Sequence, residues 1–368
     1  MTADHASSAY IASVAAAAPA YCIDQRQAAD QLLEHYGERL TRRSRAAVRK
    51  VFAHPSIQRR HFAFSSPKDL FTEDADARVV RFTHWSVELS ARAIERALRQ
   101  VGLGMDDVAA LVVNTCTGYI CPGVSTYLLE RLGLDPATPV YDLVGSGCGG
   151  AVPNLRVAEG LLSDDRVVVS ASVEICSATF RMGDDLGLII SNALFGDAAA
   201  AAVLWRRPQG LAIVDTAGVH ASAHREHIRY VHRDGQLYNQ LSLELPEIVK
   251  KPVGQLVRGL LDRNGMAVGD VAHWVLHPGG AKIVDAVQEA LGLSEAQVAP
   301  TRRTLAEYGN LSSASVWFVL RDILANGMAD GDTCLMTTFG AGFAAYAALL
   351  RADGLPAVGE VVDVGDGG

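Results

Sequence analysis

Two segments of this chain resemble each other although they lie 163 residues apart. Residues 96–114 (RALRQVGLGMDDVAALVVN) and 257–277 (VRGLLDRNGMAVGDVAHWVLH) each read as a helix, a short turn and a buried strand. The matching positions are Gly102, Asp107, Val108, Ala109 and Val112 in the first copy and Gly265, Asp270, Val271, Ala272 and Val275 in the second. A repeat this long predicts two similar domains packed together rather than a solenoid of short units. We place the N-terminal half at residues 1–215 and the C-terminal half at residues 216–368.

Apolar, β-branched runs alternate with amphipathic helical patterns along both halves, which indicates an α/β architecture with covered sheets. Near the N-terminus, we expect a first strand that ends at Pro19 and a helix that begins at about Asp24. The acidic, Gly-rich tail from Gly359 onwards is expected to be frayed. The sequence further predicts strands at residues 108–116, 166–174, 198–205, 271–280 and 332–340, and helices at 85–102, 124–134 and 253–265.

The charge balance and the cysteines limit the classes of function. The formal net charge is −8, whereas a nucleic-acid-binding protein needs a basic face. No stretch reaches the roughly 18 uncharged apolar residues of a membrane span, and residues 1–8 lack the basic residues of an export signal. The six cysteines include no CxxC pair, which favours reduced thiols in a cytoplasmic protein over disulfides or zinc. We therefore expect neither a nucleic-acid partner nor a membrane partner.

The repeat also relates three residues that could carry chemistry. Cys148, in GSGCGG, and Asn310, in YGNLSS, hold corresponding positions in the two halves, each at the start of a core helix. His277, in HPGG, lies just beyond a predicted strand, and ligand sites in α/β sheets gather at the carboxyl ends of strands. Two pseudo-symmetric halves would bring these ends together, so we expect Cys148, His277 and Asn310 to converge on one site.

Cys148 has the surroundings of a nucleophile. The positive end of a helix dipole lowers the pKa of a thiol, and a nearby imidazole lowers it further by forming a thiolate–imidazolium pair. Pro153 is an obstacle to a regular helix here, so the helix begins after Cys148 or has an irregular first turn. Taken singly, each residue has an ordinary alternative: a buried cysteine in a Gly-rich loop, a core histidine and an asparagine N-cap. The three together are far more specific than any one of them.

At these residues the sequence resembles the type III polyketide synthases, the chalcone synthase-like family, as a bacterial-type member. The motifs GSGCGGA, LFGDAAAAAV (194–203), HPGGAKIVDAV (277–287) and EYGNLSSAS (307–315) occur in the family's order, and the likeness spans nearly the whole chain. The resemblance implies a duplicated, thiolase-like α/β fold with five layers, α-β-α-β-α, and a homodimer. It also implies a CoA-dependent acyltransferase that condenses malonyl-CoA repeatedly on an acyl-CoA starter and then cyclises the chain to a pyrone or a phenolic product.

The resemblance assigns roles residue by residue. Cys148 would hold the starter and the growing chain as a thioester, and His277 would activate its thiol. His277 and Asn310 together would stabilise the enolate that forms when the malonyl group loses CO2. Phe195 matches a gatekeeper phenylalanine between the CoA tunnel and the cavity. The second gatekeeper position falls on Asn239, an amide that departs from the plant-type pattern and argues against an aromatic starter.

Other positions would shape the cavity or bind CoA. Tyr230 stands where plant enzymes have glycine and would narrow the cavity locally, whereas Cys121 would reach into the cavity of the neighbouring subunit. Further cavity walls would be Cys116, Thr179 and Ser312. Weak candidates for CoA binding are Arg49, Lys50 and Lys282.

No metal and no cofactor besides the CoA thioesters is expected. The pair His224 and His227 has no cysteine or carboxylate placed to complete a metal site. The main alternative is a ketoacyl synthase III-like enzyme that performs a single condensation, although that relative has His-Gln-Ala-Asn in place of HPGG. A hydroxymethylglutaryl-CoA synthase, a thiolase, a Cys–His–Asn hydrolase and an inactive scaffold fit the motifs less well. The starter, the number of extensions and the mode of cyclisation depend on cavity shape, which the sequence leaves open.

Overall fold

The computed structural model describes residues 9–64, 66–72, 74–163, 166–233 and 236–365. The α-helices are α1 (Gln25–Tyr36), α2 (Arg42–Phe52), α3 (Ala75–Gln100), α4 (Val124–Leu132), α5 (Ala151–Gly160), α6 (Leu186–Leu194), α7 (Leu245–Arg263), α8 (Ala281–Leu291), α9 (Glu295–Tyr308) and α10 (Ser315–Asn326). The strands are β1 (Tyr10–Pro19), β2 (Cys22–Asp24), β3 (Arg59–His61), β4 (Val108–Asn114), β5 (Val140–Leu143), β6 (Val167–Glu174), β7 (Ala198–Trp205), β8 (Gly210–His220), β9 (Ile228–Arg233), β10 (Gln236–Leu241), β11 (His273–Leu276), β12 (Thr333–Gly340), β13 (Ala344–Asp353), β14 (Ala357–Val358) and β15 (Val362–Val364).

The strand order repeats between the two halves. In the N-terminal half, β4 pairs in parallel with β6, and β6, β7 and β1 follow in antiparallel order. In the C-terminal half, β11 pairs in parallel with β12, and β12, β13 and β8 follow in antiparallel order. The two half-sheets join where β1 pairs with β8. This shared topology is the duplication that the repeat predicts; β8 crosses residue 215, and the domain boundary there stays a prediction.

Alternate residues along the strands face different helical layers, because successive side chains in a strand point to opposite faces. In β4, Val112 packs in a core with α5 and α10, whereas Val113 packs in a second core with α3 and α4. In β12, Met336 joins the same central core, whereas Leu335 packs with α7 and α8 in a third core. The helices α5 and α10 therefore lie between the two half-sheets, and other helices cover the outer face of each half-sheet. This is the expected five-layered α-β-α-β-α arrangement.

The elements near the N-terminus agree with the sequence expectations. β1 ends at Pro19, and Asp24 caps α1 by accepting hydrogen bonds from the backbone N–H groups of Arg26 and Gln27. The prediction of a frayed tail is wrong for residues 362–364. Residues 362–364 form β15, which pairs in parallel with β1, and the N–H of Ala20 donates to the carbonyl of Val364 at 2.8 Å. Residues 366–368 of the tail lie outside the described residues.

The fold brings the carboxyl ends of the parallel strands of both halves to one region. β4 ends at Asn114, β6 ends at Glu174, and β11 leads directly into His277. A contact between the halves fixes this region, since the hydroxyl of Thr338 in β12 donates to the carbonyl of Gly149 at 2.9 Å. Within the ranges given above, no helix is both long enough and apolar enough to cross a membrane.

Candidate active site

Cys148 lies in a short 3₁₀ turn, Gly147–Gly149, that follows β5 and precedes α5. The turn needs glycine at Gly147, whose φ of +55° is in the left-handed region. The α-helix starts only at Ala151, and the N–H of Asn154 donates to the carbonyl of Gly150 at 3.0 Å. Pro153 therefore lies in the first turn, where a backbone N–H would have no partner within the helix. Of the two alternatives expected from Pro153, the later helix start is confirmed: α5 begins three residues after Cys148.

Asn310 stands just before the matching helix of the C-terminal half. It precedes the 3₁₀ turn Ser312–Ala314, which leads into α10. Its side-chain oxygen accepts from the N–H of Ser312 at 2.8 Å, and its Nδ2 donates to the carbonyl of Gly279 at 3.4 Å. Cys148 lies inside its own 3₁₀ turn, so the two residues correspond as positions at a helix start and not residue by residue.

His277 follows β11 and is almost completely buried, with 2% of its surface exposed. Its backbone N–H donates to the carbonyl of Thr337 at 3.1 Å, and its ring packs edge-on against Phe339 at 5.1 Å between centroids. Nδ1 of His277 has no hydrogen-bond partner among the described residues. The imidazole is thus held by packing rather than by polar contacts.

A hydroxyl links the nucleophile candidate to a buried carboxylate. Ser312 donates to Sγ of Cys148 at 3.3 Å, and its Oγ lies 3.2 Å from Sγ of Cys116 and 3.2 Å from Oε1 of Glu174. Glu174 also accepts from the N–H of Cys116 at 3.0 Å, from the hydroxyl of Thr117 at 2.9 Å and from the hydroxyl of Ser313. Glu174 is fully buried and is absent from the residues that the sequence points to. The available signal is an acidic residue ending the buried strand VVVSASVE.

Burial sets the protonation of both candidate catalytic groups. Desolvation raises the pKa of the Cys148 thiol to about 12, although the hydrogen bond from Ser312 opposes the shift. Desolvation lowers the pKa of His277 to about 3. The expectation of a lowered thiol pKa is therefore wrong in this structure, because the loss of hydration outweighs the helix start. The thiol and the imidazole are both neutral at physiological pH.

Cys148, His277 and Asn310 line one cavity of about 480 Å³. The prediction that the three side chains converge is thus met by the geometry, and the cavity is mainly apolar, with walls such as Ile57, Leu241 and Ile283. Seven more of the residues expected from the sequence also line it: Lys50, Cys116, Phe195, Tyr230, Asn239, Lys282 and Ser312.

Three expected residues lie elsewhere. Thr179 lines a smaller cavity of about 40 Å³, which shares Phe195 and Asn239 with the large one. Cys121 is exposed in the loop before α4, and Arg49 is exposed on α2 without lining either cavity.

Tyr230 and Asn239 are paired directly across the hairpin of β9 and β10. Burial raises the pKa of the Tyr230 phenol well above its usual value, and a hydrogen bond with Thr179 opposes this rise. Asn239 lines both cavities, as Phe195 does, whereas Tyr230 lines the large cavity only.

The histidine pair of the C-terminal half lies in a different place. The rings of His224 and His227 are 5.8 Å apart, and Nδ1 of His227 lies 3.7 Å from a carboxylate oxygen of Glu244. Across the part of the chain that the structure describes, no three His, Cys, Asp or Glu side chains form a group that could hold a metal ion.

Comparison with known proteins adds family information to this geometry. The N-terminal domain of chalcone and stilbene synthases matches residues 1–208, and the C-terminal domain of the same family matches residues 219–353. A 1,3,6,8-tetrahydroxynaphthalene synthase from Streptomyces peucetius subsp. caesius is 31% identical over 317 residues, which cover 83% of this chain and 84% of that protein. A 3,5-dihydroxyphenylacetyl-CoA synthase from Streptomyces toyocaensis is 28% identical over 320 residues, covering 83% of this chain and 82% of that protein.

The fold has similar solved structures. The crystal structure of PKS-I from the brown alga Ectocarpus siliculosus matches with a TM-score of 0.86 and 28% identity, covering 94% of this chain and 98% of that one. These similarities agree with the duplicated fold and do not favour the single-condensation alternative.

Proposed function

The chain belongs to the chalcone and stilbene synthase family, and on this premise we propose that Cys148, His277 and Asn310 carry out its reaction. The protein has the duplicated thiolase-like fold and is a type III polyketide synthase, a CoA-dependent acyltransferase that condenses malonyl units in repeated rounds. The observation that carries the proposal is the position of all three side chains on one apolar cavity of about 480 Å³.

Cys148 would receive the starter. His277 takes the proton of the thiol as the sulfur attacks the acyl-CoA carbonyl, and the CoA thiol leaves with a proton. Because burial disfavours both the free thiolate and the free imidazolium, the proton moves within the pair during the attack. The thioester on Cys148 is the product of this step.

His277 and Asn310 would then act on malonyl-CoA. Two donors aimed at the thioester oxygen stabilise the enolate that forms as the carboxylate leaves as CO2. A neutral imidazole can supply one of these donors, and the pKa of His277 of about 3 keeps it neutral. The enolate carbon attacks the thioester on Cys148 and expels the thiolate, so the chain grows by two carbons. Repeated rounds and a ring closure give a pyrone or a phenolic product.

The cavity walls would select the starter. Phe195 and Asn239 line both cavities, Tyr230 lines the large one and Thr179 the small one. Ser312 contacts Cys148, and Cys116 contacts Ser312. The bulk of Tyr230 and the amide of Asn239 support a starter that is not an aromatic acyl group.

Basic residues at the large cavity would hold the phosphates of CoA. Lys50 and Lys282 line this cavity, and Arg49 is the neighbour of Lys50 on α2. Lysine binds phosphate as a point charge, so these residues would contribute affinity without fixing the orientation of the acyl group.

A homodimer is the proposed assembly. Tyr119 is 76% exposed and Val144 is 56% exposed, and Tyr127 on α4 and Tyr141 on β5 are also exposed. Exposed apolar patches of this kind mark interaction surfaces. A second copy covering this patch would bring the Cys121 loop against the neighbouring subunit. Light scattering coupled to gel filtration measures this, and a monomer at micromolar concentration would refute it.

We also propose that the reaction needs no metal and no redox cofactor, because the loss of CO2 supplies the carbanion. Turnover that persists after dialysis against EDTA supports this, and loss of turnover that added Mg2+ or Zn2+ restores would refute it. The six free cysteines support a cytoplasmic location, since disulfides are rare in reducing compartments.

The nucleophile assignment has a direct test. The protein is incubated with malonyl-CoA and a panel of acyl-CoA starters, and pyrones and phenols are measured by mass spectrometry. Cys148→Ala should abolish both the acyl-enzyme mass and the products. Cys334→Ala is the control, because Cys334 is a buried cysteine inside β12 that does not line the cavity. Condensation by the Cys148→Ala protein would show that the thioester is carried elsewhere.

A further inference from the structure

The last turn of α6 ends against the active-site cavity, and side chains from outside the helix satisfy its carbonyl groups. Arg60 Nη1 donates to the carbonyls of Asn192 and Phe195, each at 2.7 Å. Gln25 Nε2 donates to the carbonyl of Ala193 at 2.7 Å. The carbonyl of Leu194 accepts from the backbone N–H of Asn310 at 2.8 Å. Helix ends leave such carbonyls without partners in the helix, so this end is closed by a cap built from three other elements.

Arg60 is the centre of this cap. It is only 2% exposed, and its guanidinium lies over the ring of Phe62 at 4.9 Å and over the ring of Phe52 at 5.5 Å. Its Nε donates to the side-chain oxygen of Gln25 at 2.8 Å, which orients the Gln25 amide toward α6. Among the residues that the structure describes, no carboxylate pairs with Arg60. The complementary charge comes from the negative end of the α6 dipole and, without a direct ion pair, from the buried carboxylate of Asp197.

The capped end of α6 is hydrogen-bonded to the chain segment that carries Asn310. Phe195 and Asn310 form an isolated β-bridge, and the N–H of Gly196 donates to the carbonyl of Asn310 at 3.1 Å. The aliphatic part of Arg60 also packs on Gly309, the residue before Asn310. Arg60 therefore contacts both strands of this bridge, whereas it does not touch the 3₁₀ turn of Cys148.

We propose that Arg60, oriented by Gln25, is a positioning residue that fixes the Asn310 amide and the Phe195 gatekeeper by closing the carboxyl end of α6. This rests on the proposed function, since it assigns Arg60 an effect on the step that needs Asn310. Neither Arg60 nor Gln25 touches the reacting atoms by this proposal. The Asn310 amide would stabilise the enolate oxygen, and a small displacement of this donor would weaken that stabilisation.

Two measurable reactions depend on different parts of the site, so the proposal predicts different effects on their rates. Decarboxylation of malonyl-CoA needs Asn310 in place, whereas alkylation of Cys148 by iodoacetamide needs the thiol and the Ser312 hydroxyl beside it but not the Asn310 amide. A displacement of about 1 Å in a positioning network costs on the order of 100-fold in rate. We therefore expect Arg60→Ala to lower kcat for decarboxylation roughly 100-fold while KM for malonyl-CoA changes less than about threefold. The alkylation rate of Cys148 should stay at the wild-type value.

Three further variants complete the experiment. Arg60→Lys keeps the charge but offers a single ammonium in place of the planar fork, so it should recover part of the lost kcat. Gln25→Ala removes one donor to α6 and should lower kcat in the same direction by a smaller factor. Arg59→Ala is the matched control, because Arg59 is the exposed neighbour in β3 that pairs with Glu307, and it should leave kcat unchanged.

Chemical rescue distinguishes positioning from general loss of structure. Methylguanidine added to Arg60→Ala should restore part of the decarboxylation rate, because it can occupy the space between the rings of Phe52 and Phe62. Rescue, or a selective loss of kcat in Arg60→Lys and Gln25→Ala proteins that melt like the wild type, supports the proposal.

Failure of the proposed function and failure of the Arg60 proposal give different results. Wild-type protein that does not decarboxylate malonyl-CoA refutes the proposed function, whatever the variants do. Wild-type decarboxylation matched by folded Arg60→Lys and Gln25→Ala proteins refutes the role of the α6 cap. An Arg60→Ala protein that fails to fold leaves the decision to these two milder variants, and equal losses of kcat and Cys148 alkylation in them also overturn the proposal.

Discussion

The hydroxyl of Ser312 donates to the sulfur of Cys148 at 3.3 Å, and this contact crosses from the C-terminal half to the N-terminal half. The same hydroxyl lies 3.2 Å from Oε1 of the buried Glu174. Ser312 is also the one non-glycine residue of the described chain with a positive φ, at +51°. A strained residue that links the proposed nucleophile to a buried carboxylate is typical of a functional site.

Removing the Ser312 hydroxyl should make Cys148 less reactive. The hydrogen bond from Ser312 lowers the thiol pKa against the effect of burial, so Ser312→Ala should raise that pKa further. A charge-assisted hydrogen bond corresponds to about one pKa unit or more, so alkylation of Cys148 by iodoacetamide should slow roughly tenfold at fixed pH. Mass spectrometry of the Cys148 peptide measures this rate without interference from the exposed Cys22.

The backbone strain at Ser312 gives a paired variant. Ser312→Gly also removes the hydroxyl but accepts the positive φ without penalty, so it should be about 1 kcal/mol more stable to urea than Ser312→Ala. Both variants should show the same slow alkylation. A fast Ser312→Gly protein would show that the effect on Cys148 comes from the backbone and not from the hydroxyl.

Glu174→Gln should destabilise the protein. The carboxylate accepts hydrogen bonds from the N–H of Cys116 and from the hydroxyls of Thr117 and Ser313. Burial raises the pKa of Glu174, whereas these donors favour the ionised form. An amide turns one acceptor into a donor that faces other donors, at a cost of about 2–3 kcal/mol in the free energy of unfolding.

The control for Glu174 is another glutamate-to-glutamine change. Glu307→Gln removes an exposed partner of Arg59 and should cost less than about 1 kcal/mol in urea denaturation. If Glu174→Gln is as stable as the parent, the carboxyl group is protonated in the folded protein and the donors above are shared differently.

Buried strands and chemistry-bearing motifs could be predicted from the sequence because both leave local signals. The run AAAAAVLW has no polar residue to face solvent and forms β7 over the predicted residues 198–205. Cys148, His277 and Asn310 converge as expected because the duplicated topology aligns the carboxyl ends of equivalent strands.

What could not be predicted depends on distant partners. Residues 362–364 of the tail form β15 because they pair with free edge positions of β1. The two strands are more than 300 residues apart in the sequence, and the Gly-rich composition of the tail does not indicate this pairing. The pKa of Cys148 follows the depth of the cavity, which outweighs the helix start. Arg60 was not expected because its partners are backbone carbonyls, which carry no sequence signature.

His277 should make the wild type less stable in acid than a variant without it. Burial lowers its pKa from the ordinary value of 6.5 to about 3, so the folded protein keeps it neutral while the unfolded chain binds a proton below pH 6.5. The unfolded state then holds more protons, and stability falls as pH decreases. Between pH 6.5 and about 3 the loss from this group is about 1.4 kcal/mol per pH unit.

The contribution of His277 to the pH dependence of stability is measured by comparing the wild type with a variant that lacks the imidazole. Urea midpoints of the wild type and of His277→Gln are compared at pH 7.5, 6 and 5, because the other titrating groups are the same in both proteins. The wild type should lose stability relative to His277→Gln only below about pH 6.5. Parallel curves over this range would mean that His277 is hydrated or partnered in solution.

Gly309→Ala should disturb both the fold and the active site. Gly309 has φ +71° and ψ −161°, a conformation that is essentially restricted to glycine. A Cβ there would lie 2.6 Å from the carbonyl oxygen of Leu194 and 2.9 Å from Cγ of Arg60. Since the Leu194 carbonyl accepts from the N–H of Asn310, the methyl group would push apart the bridge that carries this amide. We expect a loss of about 3 kcal/mol or more in unfolding free energy and a fall in malonyl-CoA decarboxylation.

Gly292→Ala separates the backbone penalty from the contact with the site. Gly292 caps α8 with the same φ of +71°, but a Cβ added there would have no heavy atom of another side chain or backbone segment within 4 Å. Its ψ of 34° places it in the left-handed helical region, where alanine costs about 1–2 kcal/mol. Gly292→Ala should therefore be modestly destabilised and fully active below its melting temperature. If the two variants lose the same stability and keep the same activity, Gly309 is required only for its backbone conformation, and its packing against Leu194 and Arg60 does not position Asn310.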